Sequence, residues 1–310
     1  MQPLILNGMH GLGDNLHERA LLRELMRNNE VWFKTSWPQM FWDMERALHL
    51  LPLQSPIGWM AKNEARSVKL YGRTLPPPNT RAITNGYLSV MPKGIAAYGS
   101  VLGVMAHICG VAVGDFRLPI APEWRKKADA LLASLAPTKP VLIYRPPIAI
   151  SEANRLSAQA KIARNPDLET YYTLISEIRY RYLVISLADV TVLERLLDSP
   201  FKADAEFHHG ELDFETIAAL TQKARLVFCS PCFMTVLAQA VGTPMICVFG
   251  GFEDARSFSA GARFSPTLSI EPIQPCCCWS PSCKHSKEID LPLARVRVEN
   301  FIAEHQCKSY

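Results

Sequence analysis

Apolar and polar residues alternate along the chain in a repeating order of short strands and amphipathic helices. Near the start, an apolar strand at 3–6 leads into a glycine-rich turn at 8–14, and apolar residues at helical spacing follow the turn. A second strand is predicted at 31–33. We expect Asp14 or Asn15 to cap the intervening helix. This order of strand, turn, helix and strand predicts a βαβ unit in a parallel sheet.

The second half of the chain alternates more regularly than the first. Thr138-Lys139-Pro140 interrupts the pattern after predicted helices at 99–109 and 123–135. Asp213 is predicted to cap a helix at 214–224. The other predicted elements are strands at 141–144, 182–186, 226–229 and 245–249, and helices at 190–198, at 232–241 and following Asn165-Pro166. Such alternation indicates an α/β fold with a doubly wound sheet of Rossmann type.

The break near residue 138 divides the chain into predicted domains. We expect a Rossmann-like domain at 1–138, a second Rossmann-like domain at 139–275, and a Cys-rich tail with a C-terminal helix at 276–310. We expect the two Rossmann-like domains to face a central cleft. Open α/β sheets bind ligands at the ends of their strands, so we expect the ligand sites of both domains at that cleft. The C-terminal helix, predicted at about 293–305, would leave the second domain and pack back on the first.

Composition and charge narrow the functional class. The 310 residues are 48% hydrophobic and 20% charged, which excludes a disordered protein, a collagen and a small disulfide scaffold. The net charge is +4, from 33 basic and 29 acidic residues. Residues 1–138 hold 15 Lys/Arg and 10 Asp/Glu, a net of +5, whereas residues 139–310 hold 18 and 19, a net of −1. This mild bias permits an anionic partner for the first half and falls short of a dedicated nucleic-acid binder.

The cysteines and the first residues of the sequence predict a cytoplasmic protein. Nine cysteines is an odd number, and residues 1–7 have neither the basic lead nor the long apolar run of a secretory signal. We therefore interpret the cysteines as thiols or metal ligands in a reducing compartment. Two long uncharged runs, 94–114 and 226–252, contain glycine and proline interruptions that favour packed elements over membrane spans.

The turn at Gly11-Leu12-Gly13-Asp14 is the first candidate for chemistry. Its small residues let a ligand approach the backbone closely, and a carboxylate at the start of a helix can accept a proton from a bound hydroxyl. The alternative interpretation is an ordinary glycine turn with Asp14 as a helix cap.

A second candidate is the strand-to-helix turn from Ser230 to Thr235, whose free N–H groups and helix dipole suit a diphosphate. Two arginines at predicted element ends, Arg145 and Arg164, have the forked guanidinium that clamps phosphate oxygens. The alternatives are an ordinary βα loop and two solvated arginines.

The tail contains Cys276, Cys278 and Cys283, with Cys277, His285 and Cys307 nearby in the sequence. These soft ligands can supply the four positions of a structural zinc ion. The alternative is a loop of buried or oxidisable thiols. Another pair, Cys229 and Cys232, has Cys-x-x-Cys spacing, but it straddles a predicted strand end and helix start, which disfavours a redox role.

Two motifs resemble a known family. The stretch Gly11-Leu12-Gly13-Asp14-Asn15-Leu16 resembles the Gly-Asp-x-Leu turn of the bacterial lipopolysaccharide heptosyltransferases. Residues 224–250 are similar to the family's donor-binding signature, in which a strand ends in Asp-Ser/Thr-Gly and a Gly-x-Pro leads to Phe-Gly-Pro. This sequence departs from the signature at five positions. Ser230, Pro231 and Cys232 stand at Asp-Thr-Gly, Thr235 stands at the helix His, and Gly251 replaces the last Pro.

The resemblance implies a GT-B fold and an inverting, metal-independent glycosyltransferase that requires no catalytic cofactor. Asp14 stands at the family's general-base position, and Arg164 lies near its phosphate-binding Lys. The expected partners are a nucleotide-sugar donor and an anionic acceptor, either a lipopolysaccharide core sugar or a hydroxylated DNA base. The alternatives are a nucleotide-sugar epimerase and a non-catalytic binding protein of the same fold. The residues expected to bind the donor are Gly13, Arg145, Arg164, Ser230, Cys232, Phe233, Thr235 and Gly250.

Overall fold

The computed structural model describes residues 2–44, 48–53, 68–72, 74–150, 164–188, 194–197 and 199–306. The chain divides into two compact units. The first contains Met1–Pro119 and Arg256–Gly261, and the second contains Ile120–Ala255 and Ala262–Tyr310. Both are α/β units built on a parallel sheet.

The first unit has a four-stranded parallel sheet in the order β3-β2-β1-β4. Its strands are β1 (Gln2–Asn7), β2 (Asn29–Thr35), β3 (Leu48–Pro52) and β4 (Arg81–Thr84), and its helices are α1 (Leu12–Leu25), α2 (Lys93–Tyr98) and α3 (Val101–Cys109). The predicted βαβ unit is confirmed, because β1 and β2 pair in parallel with α1 between them. Leu6 of β1 pairs with Phe33 of β2, and both side chains are buried in the core.

The start of α1 differs from the prediction. Gly11 occupies the N-cap position in extended backbone, and Asp14 lies inside the first turn. Asn15 is also helical, and its backbone N–H donates to Gly11 O at 3.0 Å. Neither of the two expected residues caps the helix, because the chain already enters it at Leu12.

The second unit has a six-stranded parallel sheet and a short antiparallel ribbon. The sheet strands are β5 (Val141–Tyr144), β7 (Leu183–Leu187), β9 (Ala205–Phe207), β10 (Leu226–Cys229), β11 (Met245–Val248) and β12 (Thr267–Ile270), and the ribbon pairs β6 (Ile148–Ile150) with β8 (Glu194–Leu196). The helices are α4 (Pro122–Leu135), α5 (Leu168–Ile178), α6 (Phe214–Lys223), α7 (Phe233–Val241) and α8 (Leu291–Gln306). The sheet order is β12-β11-β10-β5-β7-β9.

Two predicted helices of the second unit differ from the structure. The chain after Asn165-Pro166 enters α5 only at Leu168, where Asp167 is the N-cap and accepts from Thr170 N at 2.9 Å. The helix predicted at 190–198 is wrong at its described positions, since 194–196 form β8. Pairing with β6, which is distant in sequence, outweighs the local helical pattern there. Residues 189–193 and 198 lie outside the described residues.

The two units meet in sequence between Pro119 and Ile120, earlier than the predicted division near 138. The reason is the packing of α4, which lies against α6 of the second unit. Lys127 of α4 forms an ion pair with Asp213, and the ring of Trp124 meets that of Phe214 edge to face at 6.1 Å between centroids. These contacts make α4 part of the second unit, although it precedes the Thr-Lys-Pro break.

The C-terminal helix α8 also differs from its expected placement. Its apolar face, formed by Ala294, Val298, Phe301 and Ile302, belongs to the hydrophobic core of the second unit. Arg295 pairs with Glu177 of α5, and Glu299 pairs with Arg181. The described part of this helix therefore packs on the unit that precedes it, because that unit offers the matching apolar surface and charges.

No helix in the described ranges is both long enough and apolar enough to cross a membrane. The uncharged run 94–114 contains α2 and α3, and the run 226–252 contains β10, α7 and β11.

Replacing Asp213 with Ala tests the cap that joins α6 to α4. The carboxylate accepts from Thr216 N at 2.9 Å and binds Lys127, so its loss should lower the free energy of unfolding by about 1 kcal/mol. Burial opposes ionisation, but the bonds from Lys127 and Thr216 outweigh it and hold the pKa of Asp213 below its usual value. Urea unfolding at several pH values measures the difference between the two proteins.

Because the folded pKa of Asp213 is depressed, its contribution is complete above the unfolded pKa of about 4 and is lost as the pH falls through the folded pKa. The difference between wild type and Asp213→Ala should therefore shrink in acid. A difference that is independent of pH would contradict the assignment of the effect to the charged cap.

Candidate functional site

Asp14 lies in the first turn of α1, just beyond the carboxyl end of β1. Its Oδ1 accepts a hydrogen bond from the Tyr87 hydroxyl at 2.9 Å. The carboxylate folds back over Gly11, where a Cβ atom would collide with Asp14 Oδ2. Gly13 is also in this turn and is half-buried. The tyrosine therefore orients the carboxylate, and the missing side chain at position 11 leaves the space that the carboxylate occupies.

Asn15 holds the backbone of the turn that presents Asp14. Its Nδ2 donates to Met9 O at 2.6 Å and to Gly11 O at 2.8 Å. Its Oδ1 accepts from the Thr35 hydroxyl at 2.6 Å, so the turn is tied to the end of β2. Asn15 is fully buried, and this network fixes the turn from beneath.

Glu18 is a buried carboxyl group one helical turn after Asp14. It accepts from Met9 N at 3.1 Å and from the amide of Asn85 at 3.4 Å. Burial, followed by the nearby charge of Asp14, raises the pKa of Glu18 well above its usual value. Protonation of Glu18 is therefore favoured by burial, and it relieves the repulsion that two adjacent carboxylates would have.

In the second unit, the turn from Ser230 to Thr235 connects β10 to α7. The Thr235 hydroxyl is fully buried, donates to Ser230 O at 3.4 Å and accepts from Cys232 N at 3.3 Å. Thr235 thus holds the turn from inside rather than facing solvent. Ser230 is buried, whereas Cys232 and Phe233 at the helix start are half-buried.

Arg145 follows β5 and reaches the start of α7. Its Nη1 donates to Leu187 O at 3.0 Å, and its guanidinium lies 5.3 Å from the centre of the Phe233 ring. His208 lies at the same edge of the sheet, with its Nε2 2.9 Å from the Ser186 hydroxyl. Burial lowers the pKa of His208 below its usual value. The structure thus brings Arg145 and the 230–233 turn together at the carboxyl end of the strands, and their contact with a ligand stays a prediction.

Arg164 has a partner that the sequence did not indicate. Its guanidinium forms a two-pronged ion pair with Glu253, which is almost fully buried, and it lies 5.9 Å from the centre of the Phe252 ring. Burial raises the pKa of Glu253, and the charge of Arg164 opposes that rise. The charge of Arg164 is therefore largely balanced, and its contact with phosphate stays a prediction. Gly250 packs against the backbone here, since a Cβ would lie 2.7 Å from Arg164 O.

The tail brings several thiols together. The Sγ atoms of Cys276, Cys278 and Cys283 all lie within 4.8 Å of one another, a spacing that one metal ion can bridge. Cys278 Sγ is also 3.4 Å from His285 Nδ1. Desolvation, a hydrogen bond with Cys283 and the nearby Cys278 raise the pKa of Cys276 to about 11. Cys277 is buried, and Cys307 lies outside the described residues.

Sequence reasoning missed Tyr87, Asn85 and Glu253. Each reaches its partner through tertiary contact, and nothing in the local sequence marks it. Glu18 was also missed, although its position four residues after Asp14 places both on one face of α1 and was a usable signal.

Two α/β units, each built on a parallel sheet, define the class of the fold as GT-B. No protein-family model matches the chain. A search of curated proteins finds no match to its sequence.

Solved structures similar to the chain are glycosyltransferases. A glycosyl transferase family 9 protein from Veillonella parvula has a TM-score of 0.60 at 12% identity, covering 98% of this chain and 97% of its own. The E. coli ADP-heptose lipopolysaccharide heptosyltransferase II has a TM-score of 0.57 at 10% identity, covering 99% and 100%. The iron-containing dodecameric glycosyltransferase TibC from E. coli has a TM-score of 0.60 at 14% identity, covering 98% and 76%. The fold that the resemblance implied is confirmed.

Glu18→Gln tests the buried neutral carboxyl group beneath Asp14. An acid whose folded pKa is raised stabilises the protein below its unfolded pKa and loses that contribution as the pH rises through the folded value. The amide of Gln keeps the acceptor for Met9 N and does not ionise. The free energy of unfolding of Glu18→Gln should therefore rise relative to that of wild type as the pH increases above about 5.

Denaturant unfolding across this range provides the measurement. Glu24→Gln, on the same helix but paired with Arg27, is the matched control. A constant difference between Glu18→Gln and wild type would show that Glu18 is ionised throughout.

Proposed function

We propose that this protein is an inverting glycosyltransferase that moves a sugar from a nucleotide-sugar donor to an acceptor hydroxyl. The observation that carries the proposal is the placement of Asp14. In a chain with the fold of family 9 glycosyltransferases, its carboxylate lies just beyond the carboxyl end of β1, accepts from the Tyr87 hydroxyl and occupies the space left by Gly11. The first unit thereby supplies a general base at the strand edge where such sheets bind ligands.

In this mechanism Asp14 removes the proton from the acceptor hydroxyl as its oxygen attacks the anomeric carbon of the donor. The bond from that carbon to the diphosphate breaks, and the configuration inverts because attack and departure occur on opposite faces. The raised pKa of Glu18 supports this role, because burial opposes a second carboxylate here and leaves Asp14 as the acceptor of the proton. The proton travels from the hydroxyl to the carboxylate in the same step.

The second unit is proposed to hold the donor diphosphate. Arg145 supplies a guanidinium, and the start of α7 at Phe233 supplies backbone N–H groups and the positive end of a helix dipole. These groups stabilise the negative charge that develops on the leaving diphosphate, so the transfer needs no catalytic metal ion. The departures at Ser230, Cys232 and Thr235 favour a donor held differently from ADP-heptose.

The remaining parts of the proposal concern the acceptor, the tail and the compartment. The positive bias of residues 1–138 favours an anionic acceptor, either a lipopolysaccharide core sugar or a hydroxylated DNA base. A structural zinc ion on Cys276, Cys278 and Cys283 fits their spacing. A cytoplasmic location is part of the proposal, because nucleotide-sugars and reduced thiols belong together in that compartment.

Asp14→Asn separates donor binding from catalysis. The variant should keep its affinity for the donor and lose turnover by about 100-fold to 10,000-fold, because the amide cannot accept the proton. A thermal-shift screen with ADP, GDP, UDP, CDP and their sugar conjugates first identifies the donor. Single-turnover assays with that donor then compare the variants.

Asp129→Asn, an exposed substitution on α4, is the control for the loss of a carboxylate. Undiminished turnover by Asp14→Asn would remove Asp14 from the mechanism. Donor consumption without an acceptor would favour the epimerase, and a wild type that binds no nucleotide would favour the non-catalytic protein.

Arg145→Ala tests the diphosphate site. Loss of a charged hydrogen-bond donor to phosphate should weaken binding of the nucleoside diphosphate about 10-fold to 100-fold in calorimetry. Arg179→Ala is the matched control. Arg179 also lies over an aromatic ring, that of Phe201 at 4.8 Å, but it precedes β7 and so lies at the amino end of the strands, away from the proposed site. Equal affinities of the two variants would contradict a diphosphate site at Arg145.

A further inference from the structure

The Cys-rich tail contains a cluster that we call the thiol knuckle, made of Cys276, Cys278, Cys283 and His285. The three sulfur atoms lie within 4.8 Å of one another, and His285 approaches one of them, Cys278. Two contacts in the cluster match the distances between ligands of one zinc ion. Zinc–sulfur bonds of about 2.3 Å at tetrahedral angles place two sulfur ligands about 3.8 Å apart, and a sulfur and a nitrogen about 3.5 Å apart. The Sγ atoms of Cys276 and Cys283 are 3.8 Å apart, and Cys278 Sγ is 3.4 Å from His285 Nδ1.

The backbone around the proposed ligands has an uncommon conformation. Cys277 and Trp279 both have left-handed backbone, with φ of 50° and 51°. Non-glycine residues adopt this conformation rarely, and here two of them alternate with Cys276 and Cys278. Cys276 is exposed, which leaves an ion a path to the cluster.

The same tail residues hold the loop after β11, residues 249–253, which we call the β11 loop. Cys277 N donates to Gly251 O, and Trp279 N donates to Phe252 O, both at 3.1 Å. The rings of Trp279 and Phe252 lie 5.6 Å apart. A Cβ at Gly251 would lie 3.0 Å from the His285 ring, so one proposed ligand packs directly against this loop.

The β11 loop contains Gly250 and holds Arg164, two residues that the sequence predicts to bind the donor. Glu253 binds the guanidinium of Arg164, and Gly250 packs against the backbone of Asn165. Lys287, just after the knuckle, donates to Asn165 O at 2.6 Å. The loop lies at the carboxyl end of its strand, the edge where parallel sheets bind ligands.

We propose that the thiol knuckle binds one zinc ion through three cysteines and His285, and that the bound ion holds the β11 loop in the conformation required for donor binding. This inference rests on the proposed function, because it gives the ion a role in binding the nucleotide-sugar. The ion is a clamp and does not touch the reacting atoms. An ion that fixes four ligands stabilises every contact that depends on their arrangement.

Metal analysis of purified full-length protein tests the site itself. We expect one zinc ion per chain in wild type, and loss of most of it in Cys278→Ser and His285→Asn. Cys277→Ala, a thiol between two ligands, is the matched control and should keep its zinc. Zinc-free wild type, a Cys276–Cys283 disulfide found by mass spectrometry, full zinc in His285→Asn, or stoichiometric iron in place of zinc would each overturn the zinc assignment.

Hydrogen exchange tests the clamp without any nucleotide or activity. Chelation of zinc from folded wild type should increase amide exchange in 249–253 and 277–279 at least tenfold, and added zinc should restore protection. Exchange in α3 of the first unit should stay unchanged, which controls for unfolding. Unaltered exchange in the β11 loop after zinc removal would overturn the clamp.

Calorimetry tests whether the zinc ion affects donor binding. The probe is the nucleoside diphosphate, among ADP, GDP, UDP and CDP, that most stabilises wild type. Zinc removal should weaken binding about tenfold, equivalent to about 1.4 kcal/mol, and zinc addition should reverse the loss. Equal affinity with and without zinc would overturn the clamp and leave the proposed function standing. Absence of binding by zinc-loaded wild type would instead contradict the proposed function, and the link to a donor with it.

Discussion

Parallel strand pairing is the constraint on which the rest of this structure depends. Because β5, β7, β10 and β11 run in one direction, the loops that follow them all emerge at one edge of the sheet. That edge carries Arg145, the 230–233 turn and the 249–253 loop, which are far apart in the sequence. The direction of the strands therefore places these three segments at the same end of the sheet. The side chains on them then determine what that end of the sheet can bind.

Close backbone approach is the means by which both units build their sites. At Gly11 the lack of a side chain admits the Asp14 carboxylate, and at Gly250 it admits the backbone of Arg164 and Asn165. Gly251 has a φ of 88°, which side-chain-bearing residues rarely adopt, and it packs against His285. The lack of a side chain at these glycines thus lets the Asp14 carboxylate in one unit, and the 164–165 backbone and His285 in the other, approach the main chain closely.

Charge is managed differently at the two sites. Burial raises the pKa of Glu18 beneath Asp14 and opposes its ionisation, whereas Glu253 is held as the partner of Arg164. The structure shows the role of one residue that departs from the heptosyltransferase signature. Thr235, which stands where that family has a His, is turned inward to support Ser230 and Cys232, so the helix start and Arg145 remain as the groups suited to a diphosphate.

The sequence by itself determined the βαβ order, the Asp213 cap, the turns that carry Asp14 and Ser230, and the strands β1, β2, β5, β7, β10 and β11, because apolar periodicity and turn chemistry are local properties. It did not indicate the other sheet strands, β3, β4, β9 and β12. Only the tertiary structure decided what these residues contact. Packing on α6 moved α4 into the second unit, pairing with β6 made 194–196 a strand, and a matching apolar surface held α8 on the second unit. The contacts of Tyr87 with Asp14, of Glu253 with Arg164 and of His285 with Cys278 likewise join segments that meet only when the protein folds. The local sequence pattern does not indicate such partners.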